Sequence, residues 1–153
     1  MRRGWQLLGT VILLALAGCG GGDPTPTPSS GPPVDSVEAF QSFSGFTIPS
    51  TASKVTIQVT SAYESTAYRA HFDLPSADLD AFCQSGQMSR PLRIVTIPAD
   101  IRKVFDYDGD GSTGVALGEA GLPSNQRIQR QVFAVGTKTK TSQVQVYAYR
   151  MPD

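Results

Sequence analysis

Cysteine is scarce in this chain: 153 residues carry two, Cys19 and Cys83. That excludes a small fold stapled by several disulfides. Histidine is scarcer still, with His71 alone. One histidine and one or two cysteines fall short of the three or four nitrogen and sulfur ligands a zinc site usually takes. Charge of neither sign is in excess, since 13 Lys and Arg balance 13 Asp and Glu. The chain therefore lacks the basic footprint of a nucleic-acid binder and the polybasic patch of a protein drawn to acidic lipid. No glycine-rich phosphate loop, nucleophile elbow or metalloprotease helix occurs, and no repeat of fixed period. The one long apolar run, near the start, is roughly a dozen residues, short of the ~20 needed to span hydrocarbon, and no other apolar stretch could do so.

That first run has the three parts of an export signal. Arg2 and Arg3 supply a positive end, and Leu7, Leu8 and Val11 to Ala17 supply an apolar core. Leu16-Ala17-Gly18-Cys19 closes it with an apolar residue, two small residues and a cysteine. Residues 1–19 resemble the signal peptide and lipobox of bacterial lipoproteins. The resemblance implies cleavage before Cys19 and attachment of acyl chains such as palmitate to its sulfur and new amine. It places the protein on the outer side of a bacterial membrane, and on the outer membrane if the cell is Gram-negative, because Gly20 rather than aspartate follows the cysteine. Two or three chains hold a protein stably where one does so only reversibly. Loss of Arg2 and Arg3 with the signal leaves 11 basic against 13 acidic residues, a net charge of −2.

Residues 19–33 read as a lipidated tether. Gly20-Gly21-Gly22 is flexible, and the Thr-Pro repeats from Pro24 to Pro28 form an extended, semi-rigid spacer. With no apolar residue to bury, this segment cannot pack.

Residues 34–153 suffice for one domain with a single core. Val37, Phe40, Phe43, Phe46 and Ile48 form an apolar segment suited to a helical turn followed by a strand. Val55, Ile57 and Val59 alternate with polar residues over 54–60, as do Tyr68, Ala70, Phe72 and Leu74 over 66–74, which predicts two half-buried strands joined through Ser61 to Ser65. Pro75-Ser76 opens a helix over 76–85, with Ser76 as the cap, Leu79, Phe82 and Cys83 as the apolar stripe, and Gly86 as a left-handed stop. Residues 92–97 suit a short strand, and 99–105 a helical turn with Ile101, Val104 and Phe105 on one side. Residues 128–135 and 143–150 form a terminal hairpin around Gly136 to Ser142. The expected fold is α+β: a single small domain, an antiparallel sheet of two hairpins with one helix packed on one face, in the order ββα(loop)ββ. The stretch Leu74-Pro-Ser-Ala-Asp-Leu-Asp-Ala-Phe82 resembles small uncharacterised bacterial lipoproteins, a resemblance that implies no activity.

Asp106-Tyr107-Asp108-Gly109-Asp110-Gly111-Ser112 resembles the first half of an EF-hand calcium loop. Carboxylates at alternating positions point inward around a tight turn, Gly111 falls where that turn needs glycine, and Ser112 where a backbone carbonyl ligates. The resemblance implies a calcium site, looser than a full EF-hand, at Asp106, Asp108, Asp110 and Ser112 with Glu119 as a further ligand. The sequence departs from the family at the twelfth position, where Leu117 replaces the bidentate glutamate and Glu119 comes two residues late. An ordinary acidic turn is the competing reading, because Asp-Gly pairs are also turn-formers.

The remaining candidates are single residues. His71 falls on the polar side of its strand with Arg69 and Asp73, as a surface residue. Cys83 points to the core by helical phase and is expected as a buried thiol. Arg127, Arg130, Lys138 and Lys140 suggest a basic edge on the terminal hairpin, of the kind that discourages edge-to-edge pairing. Without a catalytic constellation, the expectation is a non-catalytic lipoprotein, not an enzyme, whose domain binds an envelope protein or polymer and no nucleic acid. A calcium-responsive module and an enzyme with an unrecognised site are the alternatives.

Overall fold

The computed structural model describes residues 33–94, 96–109, 114–137 and 139–153. The export signal, Cys19 and nearly all of the tether lie outside the described residues. Among those described, no helix is long and apolar enough to cross a membrane.

The chain runs α1 (Val37–Ser44), β1 (Ser53–Ala62), β2 (Ser65–Pro75), α2 (Leu79–Ser85), β3 (Leu92–Ile94), α3 (Ala99–Phe105), β4 (Val115–Leu122), β5 (Asn125–Gly136) and β6 (Thr141–Arg150). The strands form one antiparallel sheet in the order β1-β2-β6-β5-β4-β3. The single domain, the antiparallel sheet and the two expected hairpins are present. Among the described residues, however, the sheet has six strands rather than four, and three α-helices accompany it rather than one. β4 escaped notice because Gly118 and Gly121 dilute its apolar alternation (Val115, Leu117) and because the acidic turn before it reads as the start of a loop.

One face of the sheet carries Ile57 and Val59 of β1, Tyr68, Ala70, Phe72 and Leu74 of β2, Val144 and Val146 of β6, and Val132 and Ala134 of β5. α1 lays Phe40 and Phe43 on it, and α2 lays Leu79, Phe82 and Cys83. Phe82 is the centre of this layer, stacked on Phe46 at 4.8 Å and edge-on to Phe72 at 5.2 Å. Such pairs add to the area they bury. The helical phase of α2 is thus as expected, but its start is not. Ser76 to Asp78 form a 3-10 turn, and the Ser76 hydroxyl pairs with that of Ser142 at 2.9 Å instead of capping an amide. At the other end Gly86 is right-handed, and the left-handed residue is Gln87.

The opposite face is covered only in part. α3 sets Ile101 and Phe105 over Val115 of β4 and Phe133 of β5, with Ile97, Leu117 and Val135 around them. Phe105 stacks on Phe133 at 5.0 Å and Tyr107 meets the same ring edge-on at 5.2 Å. This second cluster covers the β3–β4–β5 side. Among the described residues no helix lies over the β1–β2–β6 side of the face, and Thr56, Gln58 and His71 on it are exposed.

The segment before α1 lies along the outer strand. Asp35 accepts a hydrogen bond from the Val59 amide, and Ser36 caps α1 by accepting from the Ala39 amide at 3.1 Å. β1 and β2 meet in a two-residue turn, Tyr63-Glu64, with φ of 50° and 61°. Two left-handed residues make the turn that matches strand twist, a geometry usually given to Asn-Gly.

Arg130 overturns part of the expected basic edge. It faces the inner layer and is fully buried. Its guanidinium donates to the carbonyls of Ser44 at 3.1 Å, Gly86 at 2.6 Å, Gly121 at 2.8 Å and, more weakly, Ala120 at 3.4 Å, and it lies 5.0 Å from the Phe46 ring centre. One side chain thereby ties the ends of α1 and α2 to β4. Arg127 remains at the surface, paired with Asp153, and Lys140 is exposed. Lys138 lies outside the described residues.

Candidate functional site

Strand alternation sends every second side chain of β1, β2 and β6 to the partly covered face. The register places Thr56 beside His71, Gln58 beside Arg69, His71 beside Gln145 and Arg69 beside Tyr147. Phe105 and Asp106, at the end of α3, rise beside this polar sheet. Together Thr56, Gln58, Arg69, His71, Gln145, Phe105 and Asp106 line a cavity of about 380 Å³. That lies toward the small end of the ~300–1,000 Å³ typical of ligand sites. The sheet is its floor, and the end of α3 is one wall. Asp106 is set on that wall by its left-handed backbone, with φ of 49°, which ends the helix.

The floor is polar but not electrically neutral. Asp73 is held by Lys54 at 2.8 Å, and its hydrogen bond and charge raise the lysine pKa. Arg69 has no such partner among the described residues. Its guanidinium lies 5.2 Å from the centre of the Tyr147 ring, and its Nε is shut off from solvent without a hydrogen bond, as is Oγ1 of Thr60 nearby on β1. Buried polar atoms are seldom left so. Beyond Arg69 the face continues as an aromatic row: Tyr147 stacks on Tyr149 at 5.1 Å, and Tyr149 meets Tyr63 at 6.0 Å. Burial raises the pKa of both Tyr147 and Tyr149, with Arg69 opposing it at Tyr147. Both therefore stay hydroxyl donors well above neutral pH.

The calcium residues are distributed otherwise. Asp106 ends α3 on the cavity wall, and Asp108 is exposed in the following loop. Asp110 and Ser112 lie outside the described residues. Leu117 is inside the sheet, opposite Leu92 and Phe133. Glu119 is farther along β4, where Gln131 donates to it at 2.6 Å. At ~3.3 Å per residue it lies about 13 Å beyond the strand's first residue. Among the described residues no three His, Cys, Asp or Glu side chains converge. Arg102 donates to the Gly109 carbonyl at 2.7 Å and sits near the Tyr107 ring, so a protein cation already ties the first half of this loop.

Cys83 is fully buried under α2, and burial, followed by the nearby Asp80 charge, pushes its pKa up to about 11. Its thiolate is suppressed at neutral pH, whereas reactive cysteines have depressed values. His71 stands on the other face of the sheet, so the two do not form a pair.

His71 and Asp106 were visible as candidates in the sequence. Arg69, Gln58, Thr56 and Gln145 were not, and their only signal is that two polar alternations, 56–60 and 69–73, fall on strands that become neighbours. No protein-family model matches the chain, and neither a curated protein nor a solved structure does.

Proposed function

We propose that this protein is a lipid-anchored lipoprotein of the bacterial envelope whose domain is a non-catalytic binding module, with the cavity on the partly covered sheet face as its binding site. Acyl chains on Cys19 hold it to the membrane, and residues 20–33 carry the domain away from the surface on a flexible and then semi-rigid stalk. The observation that carries the reading is Arg69 on the floor of a polar cavity, in no salt bridge with any of the described residues. A guanidinium that lines a polar cavity in this way is suited to pair with an anionic group of a ligand. The side chains around it are suited to hold a polar molecule: two glutamines, a threonine, a histidine and a carboxylate. Thr56 stands beside His71, but among the described residues no hydrogen bond joins them, which favours binding over covalent catalysis.

Two experiments test this. Metabolic labelling with a palmitate analogue should mark the wild-type protein and leave Cys19→Ser unlabelled; equal labelling of both would refute the anchor. Solubilised envelope should be retained by the immobilised full chain and much less by the triple variant Gln58→Ala, Arg69→Gln, Gln145→Ala. Equal retention by a folded triple variant would remove the cavity from the binding function.

A further inference from the structure

The cavity carries charge of both signs, and they sit on different elements. Arg69 lies on the sheet floor, with the donor side chains of Gln58 and Gln145 on the adjoining strands. Asp106 stands on the wall formed by the end of α3. Of the neighbouring groups, Lys54 is paired with Asp73, Glu119 accepts a hydrogen bond from the neutral Gln131, and His71 lines the cavity beside Arg69. No salt bridge joins Arg69 to Asp106, although both line the same space.

Planar guanidinium groups match carboxylates in a two-bonded geometry that a point charge cannot reproduce. Arg69 lies with its guanidinium carbon 5.2 Å from the Tyr147 ring centre, a contact that restrains the side chain. A ligand carrying only a carboxylate would satisfy Arg69 but face Asp106 across a small cavity. A ligand carrying only an ammonium would face Arg69. The complement to both is one molecule with a carboxylate and an ammonium group close together. The polar lining and a volume of about 380 Å³ exclude a large apolar guest.

From this, and resting on the binding role proposed above, we infer that the ligand is a zwitterionic amino-acid centre, its carboxylate on Arg69 and its ammonium on Asp106. Gln58 and Gln145 donate to the remaining carboxylate lone pairs, and Phe105 closes the wall behind the carbon skeleton. The centre belongs either to a free amino acid or to an envelope peptide whose side-chain linkage leaves one such centre exposed.

The full chain in mild detergent is melted with three mixtures of the common amino acids at equal concentration: unmodified, N-acetylated, and as C-terminal amides. Only the unmodified mixture should raise the melting temperature, since binding to the native state alone stabilises it. Titration of the responding amino acids should show affinity falling about tenfold or more in Arg69→Gln and in Asp106→Asn. Asparagine tolerates the left-handed backbone at 106, and Gln58→Ala at an exposed position gives a smaller, second loss, so a misfolded variant cannot pass for a positive result. γ-Glutamyl dipeptides, which keep the zwitterionic centre within a peptide, distinguish the two sources: a response to them assigns the ligand to a peptide, and a response to free amino acids alone assigns it to a solute. No rise with either, or equal rises with the blocked mixtures, overturns the inference. In that event, continued loss of envelope retention in the triple variant would leave the binding site standing with a different ligand.

Discussion

Arg130 allows the sharpest test of how the domain is held together. Its guanidinium is fully buried, faces no carboxylate, and is satisfied by backbone carbonyls from three elements. Replacement by methionine keeps an apolar side chain of similar length over Phe46 but removes every donor. Three well-formed bonds from a charged group are worth about 1.5–3 kcal/mol each, against several kcal/mol recovered because no charge remains buried. The carbonyls of Ser44, Gly86 and Gly121 also lose this donor inside the protein. The expected net loss for Arg130→Met is ~3–5 kcal/mol, because three buried carbonyls left without this donor cost ~1–3 kcal/mol each and the relieved desolvation of the charge offsets part of that. For a domain of roughly 120 residues this lowers the melting temperature by about 12–20 °C. Arg130→Lys should be intermediate, because one nitrogen cannot serve carbonyls spread around a planar fork. Urea unfolding followed by near-ultraviolet circular dichroism measures both. An Arg130→Met protein within ~1 kcal/mol of wild type would refute the claim that this side chain ties α1 and α2 to β4.

Phe82→Ala should destabilise by about 3–5 kcal/mol in the same assay, since it removes the ring between Phe46 and Phe72; a loss under ~1 kcal/mol would contradict that packing. Replacing Tyr63-Glu64 by Asn-Gly should stabilise the domain by about 1–2 kcal/mol, because both positions are left-handed, and an unchanged urea midpoint would speak against the turn geometry. Cys83 should resist iodoacetamide at pH 8 in the native protein and react readily in urea. Its raised folded-state pKa also means that the stability it contributes is fully present below about pH 9 and is lost as pH rises toward about 11; equal labelling of both states would refute its burial. Millimolar calcium should raise the melting temperature if the aspartate loop binds it, and Asp108→Ala should abolish the rise; no shift leaves the loop an acidic turn held by Arg102.

The parts of the fold that were legible in the sequence are those where local chemistry and tertiary packing agree. β2 alternates cleanly, as does β1 from Ile57 on, whereas Val55, expected inward, is exposed beside a register shift between Ser53 and Thr56. Leu79, Phe82 and Cys83 keep helical spacing because their helix has one wet face and one dry face. The second helical face was harder to see. Ile101, Val104 and Phe105 gave a helical turn, but nothing local says that it crosses to the opposite side of the sheet. β4 hid behind its glycines, and Ser76 looked like a cap because a serine cannot show in advance that its hydroxyl will meet Ser142. Arg130 is the plainest case. An arginine in a polar alternation reads as surface, and only the assembled ends of α1, α2 and β4 give it carbonyls to bind. The site fails to show for the same reason: Arg69 and Asp106 are far apart in sequence, and each alone is an ordinary surface charge.

The central claim, that the partly covered sheet face is the binding site, is tested most directly by photo-crosslinking in intact envelope. A photoreactive residue at Gln58, at the cavity rim, should give a discrete adduct, and one at Ser124, in the exposed β4–β5 turn, should give none. Adducts from Ser124 alone, or the same adducts from both positions, would contradict the account.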